Sequence, residues 1–264
     1  MNLFQSKEYL EIFLKHFCNR EDIVEEVWEK YQGGLVLLGM KPVLNGQEVT
    51  DYAKTDIKEL PKGYKKIQLD YVREDSETFH SLRGESSQVE KQEVVPYLEL
   101  PKTWEEYLTL LKRKHRKEIK RKLKRLEEVE HELVREDNFN EFIRLHRLSD
   151  SEKEKFMSEP MAEFFKDVYK LKIIGWETRL DYLKIEGKAV AGIMSFVSEK
   201  EWWLYNSGFD PEYSYYSVGV VLKALSIKQA IEAGKIKYDF LRGNERYKYE
   251  LGAKDLQLYK LVLE

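Results

Sequence analysis

WWLYNSGFDPEYSYYSVGVVLKALSIKQAIEAGKIKYDFLRGNERYKYELG, residues Trp202–Gly252, is the stretch whose reading decides the fold. An aromatic strand pattern, WWLYNSGF, runs into the turn pair Asp210-Pro211 and the loop YSYYS. From Ser217 a helical pattern continues to Gly234, where a left-handed cap fits. A second strand pattern, IKYDFL, follows and ends in the turn-forming Arg242-Gly243-Asn244 and the polar-aromatic run ERYKYELG.

A strand feeding a helix that opens on a hydroxyl residue and a glycine leaves backbone amides without intrahelical partners. Such amides suit an anion. Ser217 is a candidate N-cap, Val218 and Val220 offer amides, and Gly219 lets a phosphate approach the main chain. The bland alternative is an N-capped helix that binds nothing. Past the second strand, alternation places Lys237, Asp239 and Leu241 on one face and Ile236, Tyr238 and Phe240 on the other.

This order of strand, SVG-type helix start, helix, YDFLRG and YK resembles the acetyltransferase domain of CelD-like and FemAB-related proteins of the GNAT superfamily. The resemblance reaches back to the basic helix around Lys112–Arg125 and covers most of Thr103–Leu263. It implies an α+β fold in which a GNAT-like mixed sheet is flanked by helices. Two tandem GNAT-like lobes are expected, the C-terminal one complete and the N-terminal one a degenerate copy. It also implies acetyl-CoA or another acyl-CoA as co-substrate, with the helix at Ser217, Val218, Gly219 and Val220 cradling the pyrophosphate.

N-acyl transfer requires a thioester beside a neutral amine, a donor for the tetrahedral oxyanion and a proton for the departing thiolate. By resemblance, a backbone amide near Asn206–Gly208 serves the thioester carbonyl. Asp239, Tyr247 and Lys248 are the catalytic candidates. Asp239 orients the amine, Tyr247 protonates the thiolate, and Lys248 holds an anion or the oxyanion. Arg242 fixes an acceptor carboxylate or phosphate through paired hydrogen bonds, and Glu245 is a spare general base. For Asp239 the competing reading is a salt bridge to Arg242 or Lys237 that holds the turn.

The basic segment LLKRKHRKEIKRKLKRLEE continues a helix that opens at Thr103, where Thr103 and Glu106 form a capping-box pair. Leu108, Leu111, His115, Ile119, Leu123 and Leu126 line one face, so His115 reads as a packed residue. Three readings of the helix stay open. It is a solvated amphipathic helix, or Arg116 and Arg121 face the substrate groove, or it is a nucleic-acid or lipid-headgroup surface. The third lacks the aromatic interleaving that stacks bases.

The chain has 264 residues and a formal net charge of −3, so net charge alone does not draw it to nucleic acid or anionic membrane. Its single cysteine, Cys18, excludes an internal disulfide and suits a reducing compartment. No HxxxH, HExxH or Cys-His spacing occurs, and no metal is expected. No segment reads as a signal peptide or a membrane span. The expectation is a cytoplasmic enzyme acting on a small-molecule amine acceptor, such as an amino sugar or amino acid. The alternatives are a FemAB-like transferase using aminoacyl-tRNA, which would assign the basic helix to the tRNA backbone, and a non-catalytic module on the same fold.

The lobe boundary falls at Pro101, giving an N-terminal α/β lobe, 1–101, and a C-terminal acyltransferase lobe, 102–264. In the first, helical spacing predicts two helices over Ser6–Tyr31, the second on Ile23, Val24, Val27 and Trp28. GGLVLLGM is a buried strand and Asn45-Gly46 a hairpin turn. Strands are also expected over Lys65–Val72 and over Val89–Leu100, the latter broken at Pro96, with a helix over Ser76–Leu82. In the second lobe, helices are expected from Asn138 to Leu148 and from Pro160 to Leu171, joined by a polar loop. Trp176–Ile185 and AVAGIMSFV form a hairpin extended by WWLYNSGF.

Overall fold

A computed structural model of the protein describes residues 2–25 and 27–264. The chain forms two compact units, Met1–Val95 with Arg242–Asn244 and Asp255–Glu264, and Pro96–Leu241 with Glu245–Lys254. These units interleave along the sequence, whereas the lobes expected above follow one another.

In the first unit Ser6 caps helix α1 (Lys7–Phe17) by accepting from the Tyr9 amide, and the helix buries Tyr9, Leu10 and Phe13. Among the described residues the expected second helix is absent. Ile23 and Val24 form strand β1 (Ile23–Val24) and Trp28 opens β2 (Trp28–Tyr31), which pairs antiparallel with β3 (Gly34–Leu37). The run is short and rich in β-branched and aromatic residues, for which helical and strand spacing overlap. Glu26, within that expected helix, lies outside the described residues.

GGLVLLGM supplies β3 as expected, and β3 lies parallel to β4 (Ile67–Arg73). Asn45-Gly46 makes no hairpin. It belongs to a 3-10 turn, Leu44–Gly46, and the chain next enters a strand only at Ile67. Helix α2 (Glu77–Leu82) forms as expected, with Ser76 as its cap, and β5 (Gln88–Glu99) follows. The last strand, β11 (Lys254–Leu263), pairs antiparallel with β4 and lies between β4 and β5. Strands β1, β2, β3, β4, β11 and β5 are neighbours in that order.

Strand β5 continues through Pro96 without a break, and the Pro96 carbonyl accepts from the Phe240 amide at 3.0 Å. The second unit then opens on the Thr103–Glu106 capping box and helix α3 (Trp104–Leu110). The basic segment is not continuous with α3. Leu111 and Lys112 are extended, Leu111 turns into the core, and α4 (Arg113–Leu126) starts afresh.

Then come β6 (His131–Arg135), α5 (Phe139–Ser149), α6 (Ser151–Phe156) inside the expected polar loop, and α7 (Glu159–Tyr169). The meander β7 (Trp176–Ile185), β8 (Lys188–Ser198) and β9 (Glu201–Phe209) is antiparallel as expected. Helix α8 (Val218–Glu232) closes on Gly234 with φ +69°, returning the chain to β10 (Lys237–Asp239), and α9 (Arg246–Glu250) precedes β11. Within this unit the strand order is β5, β10, β9, β8, β7, β6.

The architecture is a mixed sheet flanked by helices, as expected. Helices α3, α4 and α8 share a buried apolar cluster with Leu183, Val190, Ile193, Trp202 and Leu204 of the sheet. Helix α5 packs on β8 and β9, its backbone meeting Gly208 so closely that a β-carbon there would lie 2.3 Å from the His146 amide nitrogen. No helix among the described residues is long and apolar enough to cross a membrane.

Candidate functional site

The site is set by a change in strand pairing. Strand β10 runs parallel to β9 from Lys237/Glu201 to Asp239/Trp203, and the pairing stops there. On the β9 side a bulge intervenes: Leu204 faces Ser195 and Asn206 faces Met194, which leaves Tyr205 unpaired between them. A bulge adds twist and re-aims the side chains beyond it. Before it Trp202 and Leu204 join the α8 core; after it Phe209 meets α8 and Gly208 meets α5. On the β10 side the chain turns through Leu241 at φ +57°.

Asp239 holds that turn. Its buried carboxylate accepts from the Leu241 amide at 2.9 Å and from Lys237 Nζ at 2.9 Å. This is the turn-holding salt bridge to Lys237. Arg242 is engaged inside the first unit, where its guanidinium meets Asp51 at 2.9 Å, Glu48 at 2.6 Å and Glu93 at 3.5 Å and stacks on Tyr71 at 3.9 Å.

Two ammonium groups grip the separating strands. Lys153 of α6 donates to the Ser207 carbonyl at 2.6 Å on the β9 side, and Lys248 of α9 donates to the Leu241 carbonyl at 3.1 Å on the β10 side. Lys248 is fully buried and also meets Glu245 at 2.9 Å. A third amine, Lys223, rises from α8, is 6% exposed, donates to the Gly219 carbonyl at 3.2 Å and lies 4.7 Å from the Tyr247 ring centroid.

Burial is the main force on Lys223, Lys153, His146 and Tyr247, with neighbouring charges modifying it. It pushes the Lys223 amine down to about 7, helped by Lys153 and Lys248 and opposed by Glu245. Lys153 is lowered by burial against the pull of Asp150 and Glu245. His146 of α5 is pushed down to about 3 by burial and by Lys153, despite its hydrogen bond with Asn206. The Tyr247 phenol is raised well above its usual range by burial and by Glu245. It therefore keeps its proton.

The start of α8 differs from a simple N-cap. Ser217 is left-handed, φ 54° and ψ 38°, and its side chain caps nothing. Its carbonyl takes the Val220 and Val221 amides at 3.0 Å each, so Val220 has no amide to offer. The amides of Val218 and Gly219 precede the first possible intrahelical acceptor. A β-carbon on Gly219 would lie 3.0 Å from the Phe209 ring, so this glycine accommodates packing. Val220 and Tyr247 line a cavity of about 490 Å³ with Lys114, His115, Lys122 and Arg246. His115 is half-buried there.

The structure thus brings Asn206, Glu245, Tyr247 and Lys248 to the strand separation, with Asp239 behind the turn. Arg121 is paired twice with Glu118 of its own helix, at 2.6 and 3.0 Å, and Arg116 reaches the Thr109 carbonyl at 3.5 Å. Sequence reasoning missed Lys153, Lys223 and His146. Lys223 left one signal, a lone charge inside the apolar run VGVVLKALSI. Among the described residues no group of three or more His, Cys, Asp or Glu side chains could hold a metal ion.

Among curated proteins none matches the sequence. Of solved structures, FemX aligns with a TM-score of 0.66 at 13% identity over 98% of this chain and 92% of its own. A conserved protein of unknown function from Bacteroides thetaiotaomicron VPI-5482 aligns at 0.63, with 12% identity over 100% and 92%. L-PGS from Bacillus licheniformis aligns at 0.57, with 13% identity over 100% and 93%. These likenesses concern the fold and run through both units. The family model of the acetyltransferase (GNAT) domain matches residues 113–249. That match takes in more than half of the chain and the whole strand separation, and the protein belongs to the GNAT acetyltransferase-domain family.

Proposed function

We propose that the protein is an N-acyltransferase that moves an acyl group, most simply acetyl, from coenzyme A to the amine of a small acceptor in the cytoplasm. The observation that carries this reading is the end of the β9–β10 pairing at Trp203/Asp239, with Tyr247 and Lys248 brought to it inside the family segment. Backbone groups freed where strands part can hold a thioester carbonyl in a fixed orientation, which is the requirement for oxyanion stabilisation.

In this reading Lys248, fixed between the Leu241 carbonyl and Glu245, stabilises the oxyanion of the tetrahedral intermediate. Tyr247 donates a hydrogen bond to the departing sulfur. Asn206 keeps the β9 side in place through its bonds to the Ser207 amide and His146. Asp239 is a positioning residue for the turn. The amides of Val218 and Gly219, with Lys114, Lys122 and Arg246 around the neighbouring cavity, provide for the phosphates of the donor.

A second reading, aminoacyl-tRNA as donor, is favoured by one observation: Val220 spends its amide inside the helix, which leaves the pyrophosphate cradle one donor short. The cationic α4 would then face the tRNA backbone.

Acetyl-CoA titration followed by melting temperature separates the two. A donor that binds only the folded protein stabilises it by about 2.7 kcal/mol at a hundredfold excess over Kd, and acetyl-CoA is expected to do so. Lys248→Met is expected to lower kcat about 100-fold with little change in KM for acetyl-CoA. An acetyl-CoA titration without effect, beside aminoacyl-tRNA binding that falls steeply with salt, would establish the second reading in place of the first.

A further inference from the structure

We propose that Ser149 and Lys153, at the corner between α5 and α6, determine which donors the strand separation admits. They occupy the open edge of β9, and a donor with an amide-bearing arm lies along that edge only when they let go. The inference rests on the acyl-transfer reading of the site and names the residues that select among its donors.

The edge follows from the pairing. The Asp210 amide donates to the Val190 carbonyl of β8 at 2.8 Å, and successive residues of an antiparallel strand turn their main-chain groups to opposite edges. Gly208, opposite Gly192, therefore faces β8 as a main chain does every second residue, while Ser207 and Phe209 turn their N–H and C=O groups to the other edge. That edge belongs to β10, whose pairing ends at Trp203/Asp239. A strand edge left open in this way is a template for another extended backbone or for the amides of a ligand.

Side chains here take the place of the strand. The Ser149 hydroxyl accepts from the Phe209 amide at 2.8 Å and donates to the Leu145 carbonyl of its own helix at 2.9 Å. The Phe209 carbonyl lies 3.3 Å from the same hydroxyl. Lys153 donates to the Ser207 carbonyl at 2.6 Å, and Asn206 Oδ1 accepts from the Ser207 amide at 2.8 Å. Between Ser207 and Phe209 the edge is thus already engaged. The arm of coenzyme A carries secondary amides, and these can pair with that edge only after the corner yields.

The corner can yield at low cost. Ser149 releases the Phe209 amide by a rotation of its side chain. None of the residues of α6 is buried, and Asp150, which caps it, is exposed and extended. Phe156 meets the rings of His146 and Phe165, and otherwise lifting this short helix uncovers little apolar surface. A donor's apparent affinity is reduced by the fraction of molecules whose edge is open. Weakening the hold of the corner raises that fraction and tightens the binding of an amide-bearing donor.

The test is calorimetric titration of the whole chain with acetyl-CoA and, separately, with adenosine 3′,5′-bisphosphate, which has the nucleotide end of coenzyme A without its arm. Ser149→Ala and Lys153→Met are each expected to lower the Kd for acetyl-CoA roughly fivefold, the factor one hydrogen bond of ordinary net strength makes in an equilibrium. The Kd for the bisphosphate should stay as in wild type. Lys153→Arg keeps the donor and should bind acetyl-CoA as wild type does. By hydrogen exchange, the Phe209 amide of Ser149→Ala should lose protection in the unliganded protein and regain it with acetyl-CoA, while the Asp210 amide is unchanged.

If both variants bind acetyl-CoA no tighter than wild type, or the bisphosphate moves in step with it, the inference is overturned. Acetyl transfer by a protein whose variants bind acetyl-CoA as wild type does rejects this inference alone. Tighter acetyl-CoA binding in the variants without transfer to any amine rejects the acyl-transfer reading alone. Binding of acetyl-CoA by none of the forms rejects both.

Discussion

Lys223 brings a charge into a helix face otherwise built of Val218, Val221, Leu222, Ala224 and Ile227. Its amine is lowered to about 7 in the folded protein against about 10.4 in an unfolded chain. Between those values the unfolded state binds more protons, so stability rises with pH through this window. The cost of burying the ammonium is fully present below pH 7 and is relieved as the pH approaches 10. Lys223→Met should therefore stabilise the protein by about 2–4 kcal/mol at pH 6, with the gain shrinking toward pH 10. Urea unfolding at a series of pH values measures it. The same residue marks how far single positions could be read from sequence. Lys248 and Tyr247 stood in a recognisable motif. The partners of Lys153 and Lys223 are main-chain carbonyls, which no residue letter encodes. Gly219 was legible as a position of close approach, and the ring of Phe209 is one group that approaches it.

Among the elements, α5 and β9 come close together at Gly208. A methyl group on Gly208 would come within 2.4 Å of the His146 Cα and the Leu145 carbonyl carbon, and backbone cannot yield as a side-chain end can. Gly208→Ala is expected to cost about 3 kcal/mol or more, at or above the upper range for overpacking, and to lower acyl transfer by displacing Asn206. Denaturant midpoint and kcat read the two effects separately. His146, on the same contact, is lowered to about 3 from about 6.5 unfolded, so stability is lost as pH falls from 6.5 toward 3. His146→Phe, between Phe142 and Phe156, should move the acid transition to lower pH. Element order was legible where periodicity ran long, as in β7, β8, β9 and α8. It failed where chain geometry overrode pattern. The apolar spacing of α4 carries back through Leu111 and Leu108, yet Leu111 turns inward and splits the helix. The bulge at Tyr205 leaves no trace in a strand rich in aromatics, although it sets the faces of Gly208 and Phe209.

For the whole molecule, a modest net charge and a single cysteine left open how the chain divides. The division depends on β11, whose Leu258 and Leu261 are fully buried in the first unit. No turn or motif in KDLQLYKLVL announces that it pairs with β4, because register between distant segments is a property of the assembled sheet. Leu261→Ala should cost about 2–5 kcal/mol and speed amide exchange in β4 and β11 while β7 and β8 keep their protection, as hydrogen exchange resolves.

Strand β11 has a further bearing on how the protein is made. Its slot between β4 and β5 is bounded by segments that leave the ribosome long before it does. Until the residues of β11 emerge, both edges stand open to other chains. The first unit thus waits on a strand far along the chain, and during synthesis it depends on slow, non-local pairing or on a chaperone to keep those edges apart from their neighbours.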